Sequence, residues 1–442
     1  MRLRWLMAST LLCIAGLSRA QLGSAPLHAA TYVHAGWAQT TGGQGGQILR
    51  VTTLAADGPG SLKAALDTPG PRIVVFEVGG VIDMGGASYK LREGRVTIAG
   101  QTAPDPGITL VRGELDIAAA DVIVQHLSIR PGAYGRARRS GRDQDGITTS
   151  DGARRVIVDH CSFSWATDEN LSVGGSRFKG ATPDQWREST SHEITYSHNL
   201  IYEGLGESVH LKGEHSKGTL VHDNASHILL LGNVYASNRE RNPLFKGGVQ
   251  AAMVNNLIYN PGSKAVHYNL IAHEWGDRPY QVGKITLVGN VYRAGPGTVE
   301  RLPLFTLGGV GDVQLFEQDN LAVDRHGQPL PITGRYTTSA DIVPVREAYL
   351  PPGLTWLPPR ELEKRLPLMV GARPWSRDPL DFKLLSDVAE DRGQLVNDET
   401  DNNPDGLPRR KATQRPFVAA DWNLDDLSPK AGWDSLFTTV AK

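Results

Sequence analysis

The chain has 442 residues, with 46 Lys and Arg against 47 Asp and Glu and a formal net charge of −1. This balance excludes the broad basic field by which many proteins capture nucleic acid, so we expect no nucleic-acid partner. The length exceeds one ordinary domain but is within the range of a single large all-β domain. An anionic ligand would have to be bound by locally clustered cations.

The first twenty residues have the pattern of a secretion signal. A short basic stretch, MRLR, precedes the apolar run WLMASTLLCIAGL, and SRA ends at Ala20 with small residues at the cleavage positions. The apolar run is short for a membrane span. Leu12 precedes Cys13 where a lipoprotein carries a small residue, which disfavours lipidation. We predict a signal peptide over residues 1–20, secretion to the periplasm or the medium, and no membrane association after its removal.

Removal of the signal would leave Cys161 as the remaining cysteine, so the mature chain has no internal disulfide to stabilise it. Its fold must then be stabilised by core packing and backbone hydrogen bonds. Cys161 lies in the alternating run VIVDHCSFSW, where buried packing is a commoner role than nucleophilic chemistry.

An internal repeat is the strongest signal of architecture. ITYSHNLIY, ILLLGNVY, AAMVNNLIY and ITLVGNVY each contain an apolar run, an asparagine and two further apolar residues; the asparagines are Asn199, Asn233, Asn256 and Asn290. A β-propeller needs longer repeats than the 23-residue step from Asn233 to Asn256. We predict an all-β fold, a right-handed parallel β-helix, with each asparagine in a left-handed turn and hydrogen-bonded to the next.

The texture of the sequence changes near residue 330. Proline-rich stretches such as YLPPGLTWLPPRELEKRLP follow, and then polar, turn-rich segments. We predict a β-helical catalytic domain over 31–330. Residues 331–442 are predicted to be Pro-rich loops and an irregular C-terminal extension packed on the β-helix, with at most one short helix.

Acidic residues cluster around one predicted strand, in RDQDGI and ATDEN. Asp143 and Asp145 are two residues apart, so a strand would place both on one face. Asp168 and Glu169 follow the next strand, and stacked coils would bring the two pairs together. Grouped carboxylates suit Ca²⁺. The alternatives are solvated loop acids and the acid pair of a glycoside hydrolase.

Cations follow a repeat in NVYASNRERNPLFKGG. This stretch contains Arg239, Arg241 and Lys246, with Pro243 stiffening the loop. Cations that face the acids of earlier coils can bind a polyanion by direct ion pairs and through a metal. The alternative is an ordinary charged surface loop.

Two histidines and two lysines lie between the acidic and basic stretches, in ESVHLKGEHSKG. His210 and His215 suit substrate binding, a transition metal or base chemistry, although each alone also fits a structural role. Lys212 and Lys217 are candidates for a contact with an anionic substrate.

These motifs resemble the pectate lyases of polysaccharide lyase family one, within the pectin lyase-like β-helix superfamily. The resemblance is carried by VIVDHCSFSWATDEN, RDQDGI and RNPLFKGG, and it runs from about Gly36 to Asn320. It implies a right-handed parallel β-helix that uses Ca²⁺ to cleave polygalacturonate by β-elimination. It also implies an acidic polysaccharide as partner, and we expect a monomer.

Site residues can be carried over from the family's motifs. Asp143 and Asp145 match the first calcium carboxylates, Asp168 matches a later one with Glu169 as its neighbour, and Arg241 matches the catalytic arginine of arginine-x-proline. By this resemblance, Arg241 takes the proton α to the uronate carboxylate.

Three positions depart from the family pattern. Ser172 stands where a second aspartate often follows Asp168, Lys246 replaces a substrate-binding arginine, and Lys212 and Lys217 both compete for the position of the family's lysine. These departures leave open a lyase for another polyuronate. The residues are also compatible with a glycoside hydrolase or a non-catalytic polysaccharide-binding β-helix.

Overall fold

A computed structural model describes residues 36–215 and 217–433 of the chain. The predicted signal peptide, residues 1–20, lies outside these ranges. The described chain winds through three sheets in turn, so that each coil adds one strand to each sheet. Neighbouring strands pair in parallel throughout the stack, with one short antiparallel strand at an edge. This is the predicted all-β parallel β-helix.

The strands of the first sheet are Gln47–Val51, Arg72–Phe76, Val96–Ala99, Ala120–Gln125, Arg154–Asp159, His192–Ser197, Ser226–Leu231, Gln250–Val254, Gly283–Val288, Val313–Gln318 and Ile342–Pro344. Those of the second are Val78–Asp83, Ile108–Val111, Leu127–Arg130, Ser162–Ser164, Leu200–Tyr202, Val234–Ala236, Leu257–Tyr259, Val291–Arg293, Leu321–Val323 and the antiparallel Thr413–Gln414. Those of the third are Ser88–Leu91, Glu114–Ile117, Ile147–Thr149, Glu169–Val173, Lys217–Val221, Leu244–Lys246, Val266–Leu270, Phe305–Gly309 and Thr333–Thr338.

The core lies inside the coil, where alternate residues of each strand point. Parallel pairing in register stacks equivalent side chains into continuous files along the axis. One such file consists of Val122, Val156, Ile194, Ile228, Ala251 and Ile285. Because each coil is too thin to bury its own apolar face, these files make the stack cooperative. Cys161 belongs to the same core, and burial raises the pKa of its thiol.

The predicted asparagine ladder is present and fully buried through Asn290. Nδ2 of Asn199 donates to Oδ1 of Asn233 at 3.0 Å, and the same bond repeats from Asn233 to Asn256 and from Asn256 to Asn290. Asn320 extends the ladder by accepting from Asn290 at 2.9 Å. Each amide also bonds to backbone groups of neighbouring coils, so it fixes the stacking register.

The backbone explanation predicted for these asparagines is wrong. The left-handed conformation belongs to the residue just before each ladder asparagine. These residues are His198, Gly232, Asn255, Gly289 and Asp319, with φ between 52° and 63°. They are residue types that tolerate positive φ, and the ladder asparagines serve through their amides instead.

The coil continues beyond the predicted boundary at residue 330. Thr333–Thr338 and Ile342–Pro344 still pair in parallel with the strands of the preceding coil. The chain then forms two helices, Pro359–Met369 and Pro379–Ala389, where at most one short helix was expected. Their apolar residues cover the outer face of the second sheet, which supplies the tertiary contact that a short helix needs.

Helical segments are few elsewhere in the described chain. The α-helices are Leu62–Asp67, Pro183–Ser189 and Ala272–Trp275, and the 3₁₀ turns are Gly100–Thr102 and Ala419–Asp421. None of the helices in the described ranges combines the length and apolar character needed to cross a membrane.

Candidate active site

The predicted site residues converge at one end of the third sheet. One glycine separates Asp145 from the strand Ile147–Thr149. Glu169 is the first residue of the next strand in this sheet, and Lys217 is the first residue of the strand after that. Arg241 lies in the loop before Leu244–Lys246. Because these four strands are neighbours in the sheet, the residues at their amino ends meet although they span about one hundred positions of sequence.

Three carboxylates form the centre of the site. One oxygen each from Asp145, Asp168 and Glu169 lie within 4.8 Å of one another. The backbone N–H of Glu169 donates to Oδ1 of Asp145 at 3.0 Å, and the hydroxyl of Ser172 donates to Oδ2. The N–H of Asp145 itself donates to Oε2 of Glu114 at 3.0 Å. These bonds hold Asp145 and Glu169 together despite the repulsion between their charges.

The two central aspartates are shifted in opposite directions. Burial and the negative charge of Asp168 raise the pKa of Asp145 well above its usual range. Burial also disfavours the charged form of Asp168, but hydrogen bonds to His210 and His215 and the charges of His215 and Arg241 outweigh it and lower its pKa. Asp168 is therefore the stable anion, and Asp145 is the carboxylate that a further cation would stabilise most.

His210 and His215 are stacked beside the acids, with ring centroids 3.8 Å apart. Nε2 of His215 lies 2.7 Å from Oδ1 of Asp168, while Nε2 of His210 lies 3.4 Å from Oδ1 of Asp143. The N–H of Lys212 donates to Nδ1 of His210 at 3.1 Å, which leaves Nε2 as the proton-bearing nitrogen of the neutral ring. Asp143 therefore lies at the exposed edge of the cluster, near His210.

Arg241 reaches the acids from the following coils. Its Nη1 contacts Oε1 of Glu169, and its side chain is largely buried. Burial lowers the pKa of Arg241, although the negative charges of Asp168 and Asp145 raise it. Its backbone is left-handed, with φ of 61°, and its carbonyl accepts from the N–H of Thr219 at 2.6 Å. Asp145 and Arg241 thus belong to one contiguous cluster.

The remaining predicted cations do not contact the three acids. Lys217 pairs with Glu240 at 3.4 Å and is buried, which lowers its pKa. Arg239 lies 3.4 Å from Glu214.

Lys246 and Lys212 lie in different surroundings. Nζ of Lys246 is 2.6 Å from Oε2 of Glu274, and this carboxylate also pairs with Arg177 at 2.8 Å. Lys212 is exposed on the turn between the two stacked histidines. Lys246 is therefore held in a second charged group, one strand further along the sheet than Lys217.

Several residues around the site were missed by the sequence analysis. They are Glu114, Arg177, Glu240, His267 and Glu274. His267 is buried near Glu240, and burial lowers its pKa to about 3. The alternation in VHYNL could have placed His267 on the outer face, since Val266 and Tyr268 point into the core. The others lie on coils or loops whose alignment with the site depends on loop length.

Comparison with known proteins finds relatives by sequence, although no family model matches the chain. It is 31% identical over 411 residues to the probable pectate lyase C of Emericella nidulans, covering 88% of this chain and 86% of that protein. It is 30% identical to the probable pectate lyase C of Aspergillus terreus, covering 88% and 87%.

Solved structures share the fold at low sequence identity. Jun a 1, the major allergen from cedar pollen, matches with a TM-score of 0.53 and 15% identity over 76% of this chain and 92% of its own. A pectate lyase bound to a hexasaccharide matches with a TM-score of 0.50 and 15% identity over 79% and 100%. These neighbours establish the parallel β-helix.

Fold and relatives together define a polysaccharide lyase built on a parallel β-helix. More narrowly, the chain belongs to the pectate lyase family, as the resemblance of its motifs implied.

Proposed function

We propose that this protein is a secreted, calcium-assisted lyase that cleaves polygalacturonate by β-elimination and leaves an unsaturated sugar at the new end. The observation that carries the proposal is the contact of Arg241 with Glu169, which belongs to the cluster of three carboxylates that also contains Asp145 and Asp168. The relatives named pectate lyase support this substrate. The apolar run near the N-terminus supports secretion.

The donor set of the site fits calcium. Asp145, Asp168 and Glu169 supply hard oxygen ligands close together, and the pKa of the partly buried Asp145 is raised by desolvation and by the charge of Asp168, so a cation bound here would stabilise its charged form. Asp143 lies further out, with Oδ1 3.4 Å from Nε2 of His210, so we assign it to the rim of the site. Calcium bound here would supply positive charge that stabilises the substrate carboxylate as its α-carbon loses a proton.

Arg241 is the group assigned to the proton α to that carboxylate. A guanidinium is a weak base, with an ordinary pKa above about 12. Burial lowers the pKa of Arg241, which is the direction that proton removal requires. Glu169 orients the guanidinium through its Nη1 contact. The carbon–oxygen bond β to the carbanion then breaks, and the leaving oxygen departs without attack by water.

The neighbouring groups position the anion and the polymer. Nε2 of His215 donates to the ionised Asp168 and fixes its orientation, and His210 stacks on His215. Of the two lysines, we assign the substrate carboxylate contact to Lys212, because it is exposed on the turn between the stacked histidines, whereas Lys217 is buried and paired with Glu240. Lys246 and Arg239 are assigned to substrate units further along the sheet. The proposal includes an acidic polysaccharide partner and a monomeric protein.

The deciding experiment incubates the purified protein with polygalacturonate, methylated pectin or alginate, each with calcium or with EDTA. Ultraviolet absorbance of an unsaturated product from polygalacturonate, abolished by EDTA, is the expected result. New reducing ends without that absorbance would instead indicate a glycoside hydrolase, and unsaturated product from alginate alone would indicate another uronate. Binding of the polymer without either product would indicate a non-catalytic binding protein. Activity recovered from the culture medium or periplasm checks secretion.

A further inference from the structure

We propose that the loop of residues 136–142, here called the arginine loop, is a second binding site for a polyuronate chain, beyond the cleavage site. The inference rests on the proposed function for the identity of the polymer. The loop has the sequence RARRSGR and contains Arg136, Arg138, Arg139 and Arg142. It directly precedes Asp143, so it borders the candidate active site without belonging to it.

The arginine loop is anchored beside the site by its backbone. The N–H of Arg139 donates to the carbonyl of Ser208, and the N–H of Gly141 donates to the carbonyl of Val209, both at 2.9 Å. These two carbonyls immediately precede His210. The hydroxyl of Thr167, next to Asp168, donates to the carbonyl of Arg142 at 2.9 Å. The loop is therefore fixed to both segments that carry the acid–histidine cluster.

The charges of the arginine loop are largely unneutralised. Arg136, Arg138 and Arg139 are exposed, and Arg142 is half-buried. Arg138 pairs with the exposed Glu207 at 3.0 Å. Within residues 36–215 and 217–433, no carboxylate lies within 4.0 Å of a guanidinium nitrogen of the other three. A surface of this density of unpaired positive charge favours an anionic ligand.

The guanidinium groups spread over neighbouring coils rather than converging at one point. Arg139 lies against the turn between the stacked histidines, where a Cβ added to Gly213 would be 2.7 Å from its Nη2. Arg142 lies over Gly86 of an earlier coil, and its Nε donates to Gln144. Arg136 packs over the ring of Tyr134 at 5.0 Å. This spread suits a chain with a carboxylate on every unit, which binds more tightly through several weak contacts.

Arg136→Glu/Arg139→Glu tests the proposal, because both side chains are exposed and the backbone anchors remain. For each variant, kcat/KM on polygalacturonate is divided by kcat/KM on trigalacturonate, which offers three carboxylates and so can make fewer contacts beyond the cleavage site. We expect the ratio to fall roughly fivefold, as for the loss of two exposed ion pairs. Arg136→Gln/Arg139→Gln should give a smaller fall. The control Arg346→Glu/Arg360→Glu makes the same charge change on two exposed arginines outside the arginine loop, one after the strand Ile342–Pro344 and one in the helix Pro359–Met369, and should leave the ratio within about twofold.

A binding measurement separates this inference from the proposed function. In an Arg241→Ala background, retardation in gels containing polygalacturonate is compared with and without the two loop substitutions. Weaker retardation for the loop variant supports the second site even if the wild type does not cleave the polymer. Equal retardation and an equal polymer-to-trimer ratio would overturn the inference. So would a loop effect seen with vesicles of anionic phospholipid and not with polygalacturonate, since the loop would then serve a membrane surface.

Discussion

Ser172 donates a hydrogen bond from its hydroxyl to Oδ2 of Asp145, and it lies 2.8 Å from the hydroxyl of Thr148. The pectate lyases that the sequence resembles often carry a second aspartate at the position of Ser172. Here a neutral hydroxyl partly satisfies Asp145, and Glu169 supplies the third carboxylate of the cluster. The carboxylate cluster of this chain therefore differs from the family pattern. It contains Glu169, and it has a serine at position 172, where a fourth carboxylate would fit that pattern.

Ser172→Asp should raise calcium affinity, because affinity rises with the number of charged oxygen ligands. We expect the dissociation constant measured by titration calorimetry to fall roughly tenfold. In EDTA the added negative charge beside Asp145 should lower the thermal midpoint. Ser172→Asn is the matched control, since it adds similar volume without charge. Equal calcium affinity in the two variants would show that position 172 lies outside the metal site.

Arg241→Lys tests the assigned base while keeping a positive charge near Glu169. Turnover on polygalacturonate should fall at least about hundredfold, the usual contribution of a positioned base. Calcium affinity should stay close to that of the wild type, because the charge beside the acids is retained. Arg335→Lys, at an exposed arginine paired with Asp341 near the end of the coil, is the control. A turnover close to that of the wild type in Arg241→Lys would exclude the guanidinium as the proton acceptor.

The repeat and the acid–arginine cluster were predictable from sequence because register transmits them through the stack. Once Asn199 and Asn233 occupy the same turn of successive coils, the strands of those coils are in register. Asp145 and Arg241 both precede strands of the third sheet, so the same stacking brings them to one end of that sheet.

Other features depend on contacts that no repeat encodes. Glu274 lies on a short helix after its strand, and its approach to Lys246 depends on the path of that loop. The C-terminal helices are specified by the apolar outer face of the second sheet, which the inward-facing repeat does not reveal. The left-handed turn residue was misassigned by one position, because histidine and asparagine occupy it as well as glycine.

The lowered pKa of the buried His126 predicts that the stability of the fold depends on pH. Burial lowers this pKa to about 3, with the charge of His160 acting in the same direction and that of Asp159 opposing it. In the unfolded chain its pKa is about 6.5. The folded state therefore binds the proton more weakly. Its contribution to stability is complete above pH about 6.5 and is lost as the pH falls towards about 3, by about 1.4 kcal/mol per pH unit.

His126→Asn should remove that acid sensitivity. Asn tolerates the left-handed backbone of this position, where φ is 58°, as Asn255 does on a later coil. Its amide can also replace the 2.9 Å bond to the carbonyl of Ala372. The free energy of unfolding is measured by denaturant titration between pH 4 and 7. As the pH decreases, it should fall less steeply in the variant than in the wild type, and the difference in slope should correspond to about one proton. The exposed His326→Asn is the control, and equal slopes for both variants would contradict the assignment.

Asn233→Ala should be strongly destabilising because Asn233 lies in the middle of the ladder. Its Oδ1 accepts from the backbone and side chain of Asn199, and its Nδ2 donates to Asn256 and to the carbonyl of Tyr196. Truncation leaves several buried groups unpaired, and we expect a loss of about 3 kcal/mol in the free energy of unfolding. Asn320→Ala is the matched control. Asn320 is only partly buried and follows Asn290 at the end of the observed ladder, so water can replace part of what it loses. A cost at Asn233 no greater than that at Asn320 would mean that the ladder amides add little to stacking beyond the backbone bonds.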